Sequence, residues 1–230
     1  IRIIFMKNTI QVYLNNLEVL LSIIYPKLTW TRKTSEKVIY LTFDDGPIPD
    51  VTEYVLNELD KYKAKATFFC VGENVSKNDL IFHKIINRGH KIGNHTFNHI
   101  NGWKNNIEDY MENIAKADFI LTQNLSEENI SLYRSSKTGK KLFRPPYGKI
   151  KKNQIKALED HYEIVMWNVL TGDFDKNLPP EKCLRTAIKY TGKGSIVIFH
   201  DSLKALPNLQ FALPKFLKHF TEAGYRFESL

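Results

Sequence analysis

Val38-Ile39-Tyr40-Leu41-Thr42-Phe43-Asp44-Asp45-Gly46-Pro47 is the stretch on which the reading of this chain turns. Its β-branched, aliphatic and aromatic run predicts a buried strand over Val38 to Phe43, and two adjacent carboxylates close that strand at a Gly-Pro turn. Read alone, Asp44-Asp45-Gly46 is first of all a turn, because Asp accepts local backbone hydrogen bonds and Gly supplies positive φ. Two acids at a strand end also invite a division of labour, one holding a divalent cation and the other staying free as a base.

Working outward, the pattern alternates. Val51, Val55, Leu59 and Tyr62 recur at helical spacing, and Ala66 to Val71 forms a second apolar run ending at Gly72. Ile81 and Ile85 predict a helix ending near Gly89, Lys91 to Gly93 a short strand, and Ile107, Tyr110, Met111, Ile114 and Leu121 a longer helix. Leu142-Phe143-Arg144 reads as a strand cut off by Pro145-Pro146, Ile155 and Leu158 as a helix, and Ile164 to Trp167 as a strand. Pro179-Pro180-Glu181 opens a helix through Leu184 and Ile188, followed by a strand over Ser195 to Phe199 and a helix carrying Phe216 to Phe220 before Tyr225-Arg226-Phe227. Strands alternating with helices predict a parallel sheet or barrel. The polar segment Ser126 to Lys141 reads as a surface excursion.

Asp44, Asp45, His95, Arg144 and His200 each fall at or just after the C-terminal end of a predicted strand. In parallel barrels that rim carries the chemistry, so residues distant in sequence converge there. In His95-Thr96-Phe97-Asn98-His99 the two histidines stand four apart, and on a helical turn both rings would project to one side, which suits a metal that wants two imidazoles. They also fit a pair of exposed histidines with no ligand. Arg144-Pro145-Pro146-Tyr147-Gly148 is either an ordinary extended segment or a rigid turn. In the second case Arg144 pairs with a catalytic carboxylate and the prolines aim a backbone N–H at a developing oxyanion. His200 closes the run Ser195 to Phe199 as a partly buried histidine or as an acid. Asp173, in the loop after Trp167-Asn168-Val169-Leu170, is a turn residue or a partner for it.

The bulk composition constrains the class. A chain of 230 residues with 43% hydrophobic content can bury one sizeable core. The net charge of +8 is spread rather than collected into a tract, and no nucleic-acid motif of a recognised kind is present, so nucleic acid is not an expected partner. The two cysteines, Cys70 and Cys183, lie far apart and read as buried free thiols. Ile10 to Tyr25 is interrupted by Asn15, Asn16 and Glu18, which makes it too polar for a signal-peptide core and too short to span a bilayer. We expect a helical N-terminal extension over 1–35, packed on one catalytic domain over 36–230, and a monomer.

Five motifs in order carry a resemblance: Thr42-Phe43-Asp44-Asp45-Gly46, His95-Thr96-Phe97-Asn98-His99, Arg144-Pro145-Pro146-Tyr147, the loop from Trp167 to Asp173, and Ile198-Phe199-His200. In these the chain resembles the polysaccharide deacetylase family, the fourth carbohydrate-esterase family, which shares its domain with the nodulation chitooligosaccharide deacetylases. The resemblance implies an α/β fold, a distorted (β/α) barrel of parallel strands with fewer than eight complete units. It implies a divalent metal, usually zinc with cobalt, nickel or manganese as substitutes, held by Asp45, His95 and His99. It further implies Asp44 as base, His200 as acid oriented by Asp173, and Arg144 keeping Asp44 charged, with the Tyr147 N–H at the oxyanion and Pro146 beside it in the substrate-binding wall. Trp167 and Tyr147 themselves read either as faces for sugar stacking at the substrate or as core aromatics at a strand end. Removal of acetyl groups from an N-acetylated glycan follows as the expected activity, with O-deacetylation or glycan binding without turnover as alternatives. Family members are often exported or associated with the envelope. Two departures stand out: Asp173-Phe174 where Asp-Trp is common, and Ile198 where Leu is common, both of which bear on the pocket for the acetyl methyl.

Overall fold

In the computed structural model, which describes residues 20–230, nine strands form one sheet, and every strand pairing in it is parallel. The strands are β1 (Leu28–Thr29), β2 (Val38–Asp44), β3 (Thr67–Cys70), β4 (Lys91–Asn94), β5 (Lys141–Phe143), β6 (Tyr162–Val165), β7 (Val169–Leu170), β8 (Ile196–His200) and β9 (Arg226–Glu228). Their order is β1-β6-β5-β4-β3-β2-β8-β7, with β9 also pairing to the first half of β2. Crossover helices fill the connections: α1 (Val51–Lys61), α2 (Gly72–Lys77), α3 (Asp79–Asn87), α4 (Ile107–Gln123), α5 (Lys152–Leu158), α6 (Pro180–Tyr190) and α7 (Leu206–Glu222). The architecture is a curled sheet of a distorted (β/α) barrel, as expected. Parallel neighbours such as β2 and β3 must be joined by a long crossover that returns the chain to the same end of the sheet, usually a helix, which is why strand and helix periods alternate in the sequence.

Buried β2 is the keel of the sheet. Phe43 stacks between Phe68 of β3 and Phe199 of β8, with ring centroids 5.1 and 6.1 Å away, and Phe199 meets Phe216 of α7 edge-on. Such aromatic pairs add ~0.5–1.5 kcal/mol each beyond the area they bury. Parallel register places Asp44 beside Phe69 on one side and beside His200 on the other, so packing of the keel also brings the strand ends together.

Four details differ from the sequence reading. A short helix, α2, follows Val71 directly, and a two-residue strand, β7, follows Trp167. The segment after Ser126 is a surface excursion, as read, but it holds a 3-10 stretch, Glu127–Tyr133, whose Tyr133 is fully buried and donates its hydroxyl to Asp118 at 2.8 Å, which pins it to α4. Of the N-terminal extension expected over 1–35, residues 1–19 lie outside the described residues. Leu28–Thr29 is itself a strand, paired to Ile164 and Val165, so the sheet begins before residue 36. Cys70 and Cys183 are free and buried. Among the described residues no helix is long and apolar enough to cross a membrane.

Candidate active site

The end of β2 is a turn wound in an unusual hand. Asp45 sits at φ 86°, so the positive φ expected of Gly46 falls on the acid instead. Gly46 is required for space: a Cβ there would lie 1.9 Å from Asp201 Oδ2. A left-handed non-glycine residue costs on the order of 1–3 kcal/mol and persists only where its surroundings impose it. Here the Gly46 N–H donates to Asp201 Oδ1 at 3.0 Å, the Asp201 N–H donates to the Asp44 carbonyl at 3.0 Å, and Asn74 Nδ2 donates to the Asp45 carbonyl at 2.7 Å. The outcome is that consecutive carboxylates point different ways. Asp44 is buried and turned towards Arg144, whereas Asp45 faces the histidines.

His95 and His99 lie in a loop, not on the helical turn that their spacing suggested, and Thr96 and His99 take φ values of 64° and 54°. Side-chain amides hold this conformation: Asn94 Oδ1 accepts the Thr96 N–H at 2.8 Å, and Asn113 Oδ1 on α4 accepts those of Phe97 and Asn98 at 2.8 and 3.1 Å. The N–H groups of Gly72 and Glu73 at the start of α2 donate to the Thr96 and Phe97 carbonyls, both at 3.0 Å. The rings still meet, with centroids 5.0 Å apart.

His95 Nδ1 lies 2.8 Å from the Arg144 carbonyl, which can only accept, so this nitrogen carries the proton and Nε2 presents a lone pair to the site. His99 Nδ1 lies 3.1 Å from the Tyr147 hydroxyl. His99 Nε2 is 3.2 Å and His95 Nε2 3.9 Å from Asp45 Oδ1. Ligands ~2.1 Å from a tetrahedral ion are separated by roughly 3.3–3.5 Å. One donor atom each from Asp45, His95 and His99 falls within 4.8 Å of the others, so this group fits a metal ion in donor chemistry and in spacing. Burial raises the Asp45 carboxyl pKa, but the His99 hydrogen bond and the His200, His95 and His99 charges outweigh it and hold the group well below the usual carboxylate range. Burial pushes His95 down to about 4, favouring the neutral ring that a metal ion would require.

Arg144, fully buried at the end of β5, uses four of its five N–H donors. It donates to Asp44 Oδ1 at 2.8 Å, Thr42 Oγ1 at 2.7 Å, and the carbonyls of Val165 and Met166 at 3.2 and 2.9 Å, and its guanidinium lies 4.1 Å over the Phe69 ring. Asp44 Oδ2 is left facing His95 Nε2 at 3.7 Å. On the neighbouring strand, buried Asp173 grips His200 twice, accepting the His200 N–H at 2.7 Å and lying 2.8 Å from Nδ1. Burial lowers the His200 pKa; the Asp173 carboxylate, with Asp45 and Asp44 behind it, reverses this and lifts it to about 9.

The chain after Arg144 turns sharply at buried Pro146, and Tyr147, 55% exposed as a residue, takes φ 60°. No acceptor for the Tyr147 N–H is present among the described residues. Trp167 packs inward: a Cβ on Gly148 would meet its ring at 2.8 Å, and the Arg144 guanidinium lies 5.7 Å from it. Phe174 meets the His200 ring edge-on at 5.0 Å.

The strand-end and loop residues singled out in the sequence are therefore gathered at one end of the sheet: Asp45, His95 and His99 face one another, Asp44 and His200 stand beside them, Arg144 and Asp173 hold these two from buried positions, and half-buried Trp167 packs against Gly148 next to Arg144 and Tyr147. Asp201, Asn74 and Asn113 were not foreseen. Asp201 directly follows His200, and adjacency to a motif was the one signal available; the two asparagines carried none.

The family profile of the polysaccharide deacetylases matches residues 31–162. A peptidoglycan-N-acetylglucosamine deacetylase of Bacillus cereus is 35% identical over 202 residues, covering 87% of this chain and 89% of its own. The peptidoglycan-N-acetylmuramic acid deacetylase PdaC of Bacillus subtilis is 29% identical over 85% of this chain, which spans 38% of that protein. Among solved structures, a peptidoglycan N-acetylglucosamine deacetylase in complex with 4-naphthalen-1-yl-N-oxidanyl-benzamide superposes with a TM-score of 0.79 at 32% identity, covering 91% of this chain and 94% of that one. Sequence, fold and the arrangement of strand-end residues agree, and this chain belongs to the polysaccharide deacetylase family of hydrolases.

Proposed function

We propose that the protein is a metal-dependent N-deacetylase acting on an N-acetylglucosamine-containing glycan such as peptidoglycan. The observation that carries this reading is the flanking of Asp45, His95 and His99 by a carboxyl oxygen left free to accept and a cationic imidazole able to donate, those of buried Asp44 and of His200 on adjacent strands. The names of the relatives support the substrate class.

Asp45, His95 and His99 would hold the cation, and their one oxygen and two nitrogen donors suit zinc, with cobalt, nickel or manganese as substitutes. When bound, such an ion supplies Lewis-acid polarisation of the acetamide carbonyl and acidifies a water. Asp44 takes a proton from the attacking water at Oδ2, because Oδ1 is committed to Arg144. The water oxygen forms the new bond to the carbonyl carbon, and the Tyr147 N–H, set by its left-handed φ and the rigid prolines before it, hydrogen-bonds the oxygen that gains charge. A well-placed donor of this kind contributes ~3–4 kcal/mol. His200 delivers its Nε2 proton to the sugar nitrogen as the carbon–nitrogen bond breaks, and Asp173 holds the ring at Nδ1 and keeps it protonated. Acetate and a glucosamine amine leave. An amide needs this acid more than an ester does, since an unprotonated amine is a poor leaving group. Exposed Tyr147 offers a face to the sugar, while Trp167 supports the turn from behind.

The test is acetate release by the zinc-loaded protein from peptidoglycan fragments, chitooligosaccharides and acetylated xylan, before and after chelation. Release from the N-acetylated sugars that stops on chelation and returns with zinc is expected. Release from xylan alone would assign an O-deacetylase, and glycan binding without acetate from any substrate would assign a non-catalytic module.

A further inference from the structure

Asp201 is the least expected residue of the site, and its bonds converge on one turn. It touches both ends of Asp44-Asp45-Gly46: its N–H donates to the Asp44 carbonyl at 3.0 Å and its Oδ1 accepts the Gly46 N–H at 3.0 Å. Its second oxygen, Oδ2, accepts from Thr52 Oγ1 at 2.6 Å. The Thr52 hydroxyl itself accepts the Ile48 N–H at 2.8 Å, which turns its own hydrogen towards Asp201. Both oxygens of this carboxyl are thus engaged, one by the Gly46 N–H and one by the Thr52 hydroxyl, and the group is fully buried where a Gly46 Cβ would stand. Between the two clipped ends sits Asp45, in the strained φ that aims its carboxylate at His95 and His99.

We propose that Asp201 is a positioning residue for the metal centre. With its carboxylate braced on Thr52 of α1, it fixes the left-handed turn that presents Asp45 to the cation and separates Asp45 from Asp44. The inference rests on the metal reading of Asp45, His95 and His99. It assigns to Asp201 no contact with substrate, water or ion.

Two features follow. First, the bond pattern distinguishes Asn from Asp at position 201. Asp201→Asn retains an acceptor for the Gly46 N–H but sets an amide against a hydroxyl that needs an acceptor, so it weakens the brace without removing the clip. Asp201→Ala removes both. Second, Gly46→Ala drives a methyl into the carboxylate and should reproduce the Asp201→Ala defect while every polar atom remains. In an Asp201→Ala background that space is vacant, so adding Gly46→Ala should cost far less than it does alone.

The experiment measures the zinc dissociation constant by competition with a chelator, together with kcat, KM and the melting temperature, for the full chain. Expected is a loss of zinc affinity of ~10–100-fold for Asp201→Ala and for Gly46→Ala, as is usual when a partner that orients a ligand is removed. Asp201→Asn and Thr52→Val should fall between these and wild type, with kcat lowered and KM for the glycan nearly unchanged. Leu213→Ala, a core truncation on α7, should lower the melting temperature yet leave zinc affinity at the wild-type value, which separates positioning from general loss of stability. If Asp201→Ala does not fold, Asp201→Asn and Thr52→Val carry the comparison. Folded Asp201 variants that bind zinc as tightly as wild type, or additive effects of Gly46→Ala and Asp201→Ala, overturn the inference. A wild-type chain that retains no zinc overturns the metal reading and this inference with it.

Discussion

Two buried arginine–carboxylate pairs lie at opposite ends of the parallel sheet, and they are finished differently. Near the start of β6, Glu163 accepts from Arg32 at 2.6 Å and Thr29 at 2.7 Å on one oxygen and from Thr138 at 3.0 Å on the other, so both oxygens are occupied. At the end of β2, Arg144 occupies only Asp44 Oδ1, and Oδ2 faces the histidine cavity. A carboxylate whose acceptors are all used is a structural plug. One held charged on a single oxygen retains a second for chemistry, and the cost of burying it is met by an arginine that makes four hydrogen bonds.

The sharpest way to break this contrast is Asp44→Asn, which leaves the volume and an Arg144 acceptor in place. Acetate release should fall by ~10²–10⁴-fold, the range for loss of a positioned base, with zinc still bound. Unchanged turnover would remove Asp44 from the reaction. Next come the arginines. Arg144→Met and Arg32→Met each strand a buried carboxylate and should cost ~3–5 kcal/mol by denaturant unfolding. The two should separate in kinetics, with kcat lowered for Arg144→Met and preserved for the folded fraction of Arg32→Met; equal kinetic effects would erase the distinction.

The third test concerns pH. His200 has an ordinary pKa of 6.5 and is held at about 9 in the folded chain, so it remains cationic through neutrality and activity should decline as pH rises through about 9. Because the folded pKa is the higher one, stabilisation from this cation is complete below 6.5 and is lost between 6.5 and about 9. Asp173→Asn keeps a hydrogen-bond acceptor but removes the charge, so the alkaline limb of the kcat profile should move to lower pH and the melting temperature should depend less on pH across that window. An unmoved limb would take the acid role away from His200. The smallest effect is expected for Tyr147→Phe, which deletes the 3.1 Å contact to His99 Nδ1 and keeps the backbone N–H. Zinc affinity should fall by up to ~10-fold, the low end for a partner of a ligating imidazole, with little change in stability.

Much of the site was legible because its chemistry is written in residue types at strand ends. Asp44, Arg144 and His200 stand after apolar runs that could only be strands of a parallel sheet, and a parallel sheet brings its strand ends to one face. The i, i+4 spacing of His95 and His99 pointed to a shared ligand through the wrong local geometry. A helical turn would have paired the rings by periodicity, whereas the actual loop pairs them through two left-handed residues held by Asn94 and Asn113. Trp167 read equally as a sugar-stacking face or as core; in the structure it is half-buried against Gly148 and Arg144, because an aromatic at a strand end looks the same in sequence whether its face is covered or open.

By itself, the sequence determined the alternation of strand and helix, the family, and the residue types gathered at one rim, because periodicity and motif order are local properties of the chain. The residue types left open which of two adjacent aspartates meets the two histidines and which meets the arginine, and the tertiary structure shows how that choice is made. That choice depends on the positive φ of Asp45, which local propensity disfavours and which bonds from Asp201 and Asn74, 156 and 29 residues away, impose.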